Sequence, residues 1–170
     1  MVKKLPKGPS LYLQLESGMV ICRLFNEIAP NHVKRITELV NEGLYDNVVF
    51  HRVIEGFMAQ TGDVLFGNKQ SNYLPERCGT GGSEKPDLFQ EFSDIQFDRG
   101  ILGMARSQDP NSANSQFFIM LQEGHFLNGN YTVFGKVTKG MKFVDQIKKG
   151  DSNENGAVEN PDKIVSALIK

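Results

Sequence analysis

The sequence predicts a mostly β fold: a sheet closed into a barrel, with helices plugging the ends. Three observations carry this. Seventeen glycines punctuate short apolar runs, the pattern of strands joined by turns. The first and last of those runs alternate in the period of a half-buried strand. Only two segments have helical period, and two helices cannot cover both faces of so large a sheet, whereas closure removes its edges.

The elements follow in order. LYLQLESGMVICRLF reads as a hairpin: Leu11, Leu13 and Leu15 alternate, Glu16-Ser17-Gly18 turns the chain, and Val20, Cys22 and Leu24 alternate again. APNHVKRITELVNEG changes period, with Val33, Ile36, Leu39 and Val40 at helical spacing, Pro30 in the first turn and Gly43 at the stop. Strand-like runs follow at 48–54, 57–62, 95–97, 100–105, 117–121 and 132–137. A second helix is predicted over 141–149, with Val144 and Ile147 inward and Gly150 ending it, and 163–169 alternates as a last strand. Long irregular stretches at 64–86 and 151–162 suggest functional loops. The 170 residues suggest a single domain, with residues 1–10 as a flexible or loosely attached N-terminal extension.

Composition narrows the function. A net charge of −1 builds in no general attraction to nucleic acid. No apolar run approaches a membrane span, and the N-terminus is a poor signal peptide. Cys22 and Cys78 are too few for a disulfide framework and suit a reducing compartment, which points to the cytoplasm. His32, His51 and His125 have no zinc-like spacing with the cysteines, so neither metal nor cofactor is expected.

FHRVIEGFMAQTGD, residues 50–63, sets a permanent charge and a neutral amide beside Phe57 and Met58. Strand alternation puts Arg52 on the face of Phe50 and Ile54; taken alone it reads as a surface arginine paired with Glu55 or Asp63. His51 falls on the opposite face with Val49 and Val53 and reads as a satisfied interior side chain rather than a base. Similar mixtures recur in GILGMARSQDPNSANSQFFIM, in GHFLNGNYTVFGK and in the small-residue loop CGTGGSEK.

Together, FHRVIEGFMAQTGD, GTGG, GILGMARS, NSQFFIM and HFLNG followed by VFGKV resemble the cyclophilins in order and spacing, from about Leu11 to Ile169. The resemblance implies a closed, eight-stranded antiparallel β-barrel with a helix at each end, a solid interior and a substrate groove on the outer face. It implies peptidyl-prolyl cis-trans isomerase activity on proline-containing polypeptides, assisting folding, in a monomer. By the same resemblance Arg52 and Gln60 are the catalytic pair. Phe57, Met58, Phe118 and Leu127 form the proline pocket. Arg106 anchors the peptide through its backbone, and Gly79, Ala105, Ser107 and Gln116 form the groove wall. Phe126 and Tyr131 stand where many eukaryotic members have Trp and His, a bacterial-like pattern that implies weak cyclosporin binding.

Other readings weigh less. The segment 151–162 fits much of a calcium loop, but Pro161 and the strand-like run after it do not suit a helix–loop–helix. The GTGG loop lacks the lysine of a phosphate cradle. A non-catalytic proline-peptide binding module on the same barrel would be expected to have lost the arginine, and Arg52 is present. The stretch between Asp63 and Gly79 is longer than in short family members and leads into the groove rim.

Overall fold

The computed structural model describes residues 4–170. Ten strands and two α-helices follow in chain order. They are β1 (Ser10–Leu15), β2 (Met19–Leu24), α1 (Pro30–Asn41), β3 (Arg52–Ile54), β4 (Met58–Thr61), β5 (Gly67–Asn68), β6 (Asn72–Tyr73), β7 (Ile101–Met104), β8 (Phe117–Met120), β9 (Val133–Lys139), α2 (Met141–Asp145) and β10 (Ile164–Ile169). Eight strands make one curled antiparallel sheet in the order β10-β1-β2-β9-β7-β8-β4-β3, and β5 and β6 pair apart as a small hairpin.

The predicted hairpin forms in the register its alternation demands: Leu11 opposes Cys22 and Leu13 opposes Val20, all inside. Helix α1 buries Val33, Ile36, Leu39 and Val40, and Gly43 adopts φ 72° just past its end. Its N-cap, Ala29, has no side-chain acceptor. The Glu91 carboxylate, from a distant loop, instead accepts the N–H groups of Asn31 and His32, satisfying two of the orphan donors at that end.

The sheet is a half-barrel, which corrects the expected closed barrel. Strand β3 keeps only three residues, and its outer edge is taken by the 150–158 loop: Val53 N–H donates to the Gly156 carbonyl at 2.9 Å, and Gly150 N–H donates to the Val53 carbonyl at 2.8 Å. The edge is therefore unavailable to β10. That strand meets the irregular chain upstream, where Asn47 N–H reaches the Ile164 carbonyl and Phe50 N–H the Asp162 carbonyl.

Three further expectations change. The run 48–54 is a strand only from Arg52 onward. Helix α2 stops at Asp145, and the Lys149 ammonium donates to the carbonyls of Asp145 and Ile147 in place of further helical N–H groups. Residues 95–97 form no strand, because Phe97 N–H bonds the Asn128 side chain and the Phe97 carbonyl takes Gly124 N–H. In the N-terminal segment Leu5 packs against the outer apolar cluster and Leu24 N–H donates to the Pro9 carbonyl, while Met1–Lys3 lie outside the described residues.

Two apolar clusters sit on opposite sides of the sheet. The interior one gathers Leu11, Leu24, Ile36, Phe50, Val53, Ala59, Phe117, Ile119 and Phe134 with their neighbours, leaving the hollow of the half-barrel filled with side chains. The outer one is built from Phe25, Met58, Phe97, Ile101, Phe118, Met120, Leu127 and Val133. Alternation along β8 splits its four residues between the two, Phe117 and Ile119 inward, Phe118 and Met120 outward. Among the described residues no helix is long and apolar enough to cross a membrane.

Candidate active site

Three adjacent strands carry the site. Arg52 on β3 opposes Gln60 on β4, and Gln60 opposes Phe118 on β8, so one transverse row places a cation, an amide and an aromatic ring side by side on the outer face. The next row is Ile54, Met58 and Met120. The first row continues through Gly103 on β7 to Val133 on β9. A Cβ on Gly103 would stand 2.5 Å from Phe118 Cζ and 2.7 Å from Phe97 Cε1, so only glycine admits both rings, which stack with centroids 5.9 Å apart.

Above these rows lies an open groove of about 560 Å³. Arg52, Phe57, Met58, Gln60, Gly79, Ala105, Arg106, Phe118, Leu127 and Tyr131 line it. Ser107 and Gln116 line an adjoining cavity of about 510 Å³ that shares Gln60, Gly79, Ala105 and Arg106 with the groove. Phe126 is 71% exposed and outside both, its ring 5.4 Å from that of Phe57.

A chain of amides fixes the polar side. Gln116 Nε2 donates to the carbonyls of Gly79 and Gly81, at 2.9 Å each. Its Oε1 must then face Gln60, whose Nε2 donates to it at 3.0 Å. Gln60 Oε1 is thereby turned to Arg52 and accepts from Nη1 at 3.3 Å. Arg52 also donates from Nε to the Asn155 carbonyl at 2.9 Å and from Nη2 to Asn155 Oδ1 at 3.1 Å. Among the described residues it has no carboxylate partner. Glu55 is exposed, and Asp63 is fully buried, its carboxylate accepting the N–H groups of Leu65, Phe66, Gly79 and Gly81 at 2.7–3.0 Å. The surface ion pair suggested by the local pattern is therefore replaced by a free cation in a groove. Burial pulls the Arg52 guanidinium below its ordinary range, with nearby Tyr131 opposing, and arginine still remains charged at neutral pH.

The alternation assigned around His51 fails, because the strand begins only at Arg52. Phe50 lies in the interior cluster with Val53, and His51 lines the groove beside Arg52. Its ring sits under Gly79, where a Cβ would come within 3.2 Å of Cδ2. Among the described residues Nδ1 is buried without a partner, which departs from the satisfied interior histidine expected, and burial pushes its pKa down to about 4, with Asp63 opposing and Arg52 assisting. It is neutral at working pH.

The Arg106 side chain lies over the Tyr131 ring, 4.4 Å from its centroid, and donates to the Asn130 carbonyl at 2.7 Å and the Ser107 carbonyl at 2.9 Å. Sequence reasoning missed part of the rim. Tyr73, Pro75 and Cys78 reach the groove from the long segment after Asp63, and Glu154, Asn155, Ala157 and Val158 reach it from the 151–162 stretch. The signal for both was the length and irregularity of the two stretches, which marked them as functional loops without singling out a groove residue. The oxygens that suggested calcium there face protein donors: Asp151 Oδ1 accepts Asn153 N–H, Asn155 Oδ1 accepts from Arg52, and Asp162 Oδ2 accepts Lys148 N–H.

An open groove on the outer face of a half-barrel, apolar along Phe57, Met58, Phe118 and Leu127 and flanked by a guanidinium held only by neutral acceptors among the described residues, has the features of a site for an extended peptide. The chain belongs to the cyclophilin-type peptidyl-prolyl cis-trans isomerases: the family model for "Cyclophilin type peptidyl-prolyl cis-trans isomerase/CLD" matches residues 10–169. It is 60% identical over 161 residues to a Brucella suis protein named "Probable peptidyl-prolyl cis-trans isomerase", covering 95% of this chain and 82% of that one. It is 35% identical over 162 residues to peptidyl-prolyl cis-trans isomerase B of Escherichia coli, covering 89% and 93%. A cyclophilin-type isomerase of Cryptosporidium parvum, crystallised in the presence of the dipeptide Ala-Pro, superposes with a TM-score of 0.79 at 28% identity, covering 95% of this chain and 98% of that one. The activity is therefore cis-trans isomerisation of peptidyl-prolyl bonds.

Proposed function

We propose that Arg52 catalyses rotation about Xaa–Pro bonds by donating a hydrogen bond to the prolyl nitrogen as the bond twists. An amide resists rotation because its nitrogen lone pair is shared with the carbonyl, at a barrier of roughly 18–20 kcal/mol. About a quarter turn along, that sharing is lost and the nitrogen becomes a localised acceptor. A donor aimed there stabilises the twisted state and not the planar one, which is what catalysis requires. One charge-assisted hydrogen bond contributes about 1.5–3 kcal/mol, roughly ten- to a hundredfold in rate. The remainder would come from gripping the proline ring while the preceding carbonyl swings.

The observation that carries this reading is the position of Arg52: charged, without a carboxylate partner, and in the same groove as Phe57, Met58, Phe118 and Leu127. Those four would hold the ring by apolar burial. Gln60 would orient Arg52 and bond the substrate backbone. With its side chain turned to Tyr131 and to neighbouring carbonyls, Arg106 offers its backbone to an extended peptide, and Gly79, Ala105, Ser107 and Gln116 form the wall. Proline-containing polypeptides are the substrates, a class in keeping with the Ala-Pro used with the Cryptosporidium parvum relative. Uncatalysed Xaa–Pro exchange takes tens to hundreds of seconds, so the enzyme would assist chain folding, as a monomer in the reducing cytoplasm that suits its two free thiols. The test is to titrate a short proline peptide and follow the methyl resonances of Met58, Ala105 and Leu127 while measuring isomer exchange. Exchange should accelerate and shifts should cluster at those methyls; shifts confined to another face would refute the assignment.

A further inference from the structure

A guanidinium has five N–H donors in a fixed plane. In Arg52 three are engaged, Nε–H and one Nη2–H by Asn155 and one Nη1–H by Gln60. Five less three leaves two, one on each terminal nitrogen. The direction of those two is set by whatever holds the other three, and Asn155 holds two of them. We infer that Asn155 is a positioning residue for isomerisation: its carbonyl and its side-chain oxygen grip two edges of the guanidinium and aim the free N–H groups at the groove. This rests on the reading of Arg52 as the donor.

The loop is built to present Asn155 in that way. The Asp151 side chain accepts Asn153 N–H at 2.8 Å and caps the single 3-10 turn Ser152–Glu154. Asn155 follows with φ 54°, in the left-handed region that asparagine tolerates better than most residues. Gly156 comes next, and a Cβ on it would stand 2.5 Å from Ile54 Cγ1 and 3.4 Å from Arg52 Cγ. A Cβ on Gly150 would stand 1.9 Å from the Gly156 carbonyl oxygen. These two glycines let the loop lie directly on β3, where Gly156 and Gly150 bond both main-chain groups of Val53, the residue after Arg52. The clamp and the side chain it holds are thus fixed to the same strand.

Gln60 alone is a weaker guide. It offers one contact at 3.3 Å, at the long end for a hydrogen bond, from a flexible side chain. Released from Asn155, the long arginine side chain would regain rotamer freedom, and only a fraction of its conformers would face the twisted nitrogen. Affinity for a planar substrate, supplied by the apolar pocket, would change little.

The experiment uses Asn155→Gly, which keeps the left-handed backbone and the carbonyl and removes the side chain, whose one bond to Arg52 is through Oδ1. Turnover at saturating proline peptide, measured by NMR exchange, should fall about tenfold, the scale of one lost charge-assisted hydrogen bond. Peptide affinity should stay within about twofold and the melting temperature within about 2 °C, since one glycine at a positive φ costs little in the folded state. The decisive comparison repeats the substitution on Arg52→Ala, at enzyme concentrations high enough to follow residual exchange. If Asn155 acts through Arg52, the second substitution has no further effect there. An equal loss in both backgrounds, or a loss under about twofold in the wild type, overturns the inference. Full turnover in Arg52→Ala alone would instead overturn the reading of Arg52 itself.

Discussion

Asp63 is the buried residue whose replacement should disturb the groove most while touching no substrate. Its carboxylate accepts four backbone N–H groups: Leu65 at 3.0 Å and Phe66 at 2.9 Å on one oxygen, Gly79 at 2.7 Å and Gly81 at 2.9 Å on the other. One oxygen orders the start of the long insertion, and the other ties down the glycine loop that roofs His51 and receives Gln116. In Asp63→Asn, whichever way the amide turns, its NH₂ faces two N–H donors. Two partly buried N–H groups lose their acceptor, at about 1–3 kcal/mol each. Partial solvent access favours the low end, and the other pair of bonds weakens as the acceptor loses its charge. The total is about 3 kcal/mol, or roughly 6–12 °C in melting temperature for a domain of this size. Thermal denaturation beside proline-peptide exchange measures both effects. Turnover should fall even well below the transition, because Gly79 and Gly81 anchor the amide chain that ends at Arg52. A melting temperature within about 2 °C of the wild type would show that the four bonds do not organise this loop.

Further outcomes are expected. Turnover should be nearly flat from about pH 6 to 8, since arginine does not titrate there and His51 is pushed down to about 4; a bell-shaped rate profile in that window would make His51 a catalytic base. Stability should carry the His51 signature. Its pKa is lower folded than unfolded, so the unfolded chain takes up the proton first and stability falls as the pH drops from about 6.5 toward 4, by about 2 kcal/mol at pH 5. In His51→Gln, melting temperatures should lose that part of the acid dependence, and an unchanged slope would contradict the burial argument. Gly103→Ala should force Phe118 and Phe97 apart, with an overpacking cost of about 1–3 kcal/mol and a raised KM as Phe118 tilts into the proline pocket; unchanged kinetics and stability would show that the rings yield freely. Phe126→Trp should tighten cyclosporin binding about three- to tenfold by supplying an indole N–H, which calorimetry would show, while unchanged affinity would mean that the missing donor lies elsewhere.

What the sequence revealed and concealed follows from how local each determinant is. The β1–β2 hairpin and α1 were legible because an uninterrupted period fixes the buried face of each. The outward row of Arg52, Gln60 and Phe118 was legible only through family resemblance, since it depends on the register of three strands far apart in the chain. Alternation misassigned Phe50 and His51 because the strand begins only at Arg52, after both, and irregular backbone has no period to read. Barrel closure was overstated because the loop that occupies the β3 edge is polar and aperiodic. Asn155 was hidden for the same reason: its role comes from a left-handed turn laid across a strand about a hundred residues earlier. The β5–β6 hairpin escaped notice because four largely polar residues carry no burial pattern.

The central claim is that Arg52 serves the twisted bond rather than the resting one. Arg52→Ala, with turnover and peptide affinity taken from a single NMR exchange titration, separates the two. Turnover should drop at least about tenfold with the dissociation constant changed no more than a few-fold. A parallel loss in both would make Arg52 a binding residue, and retention of full turnover would mean that rotation is accelerated by other groups in the groove.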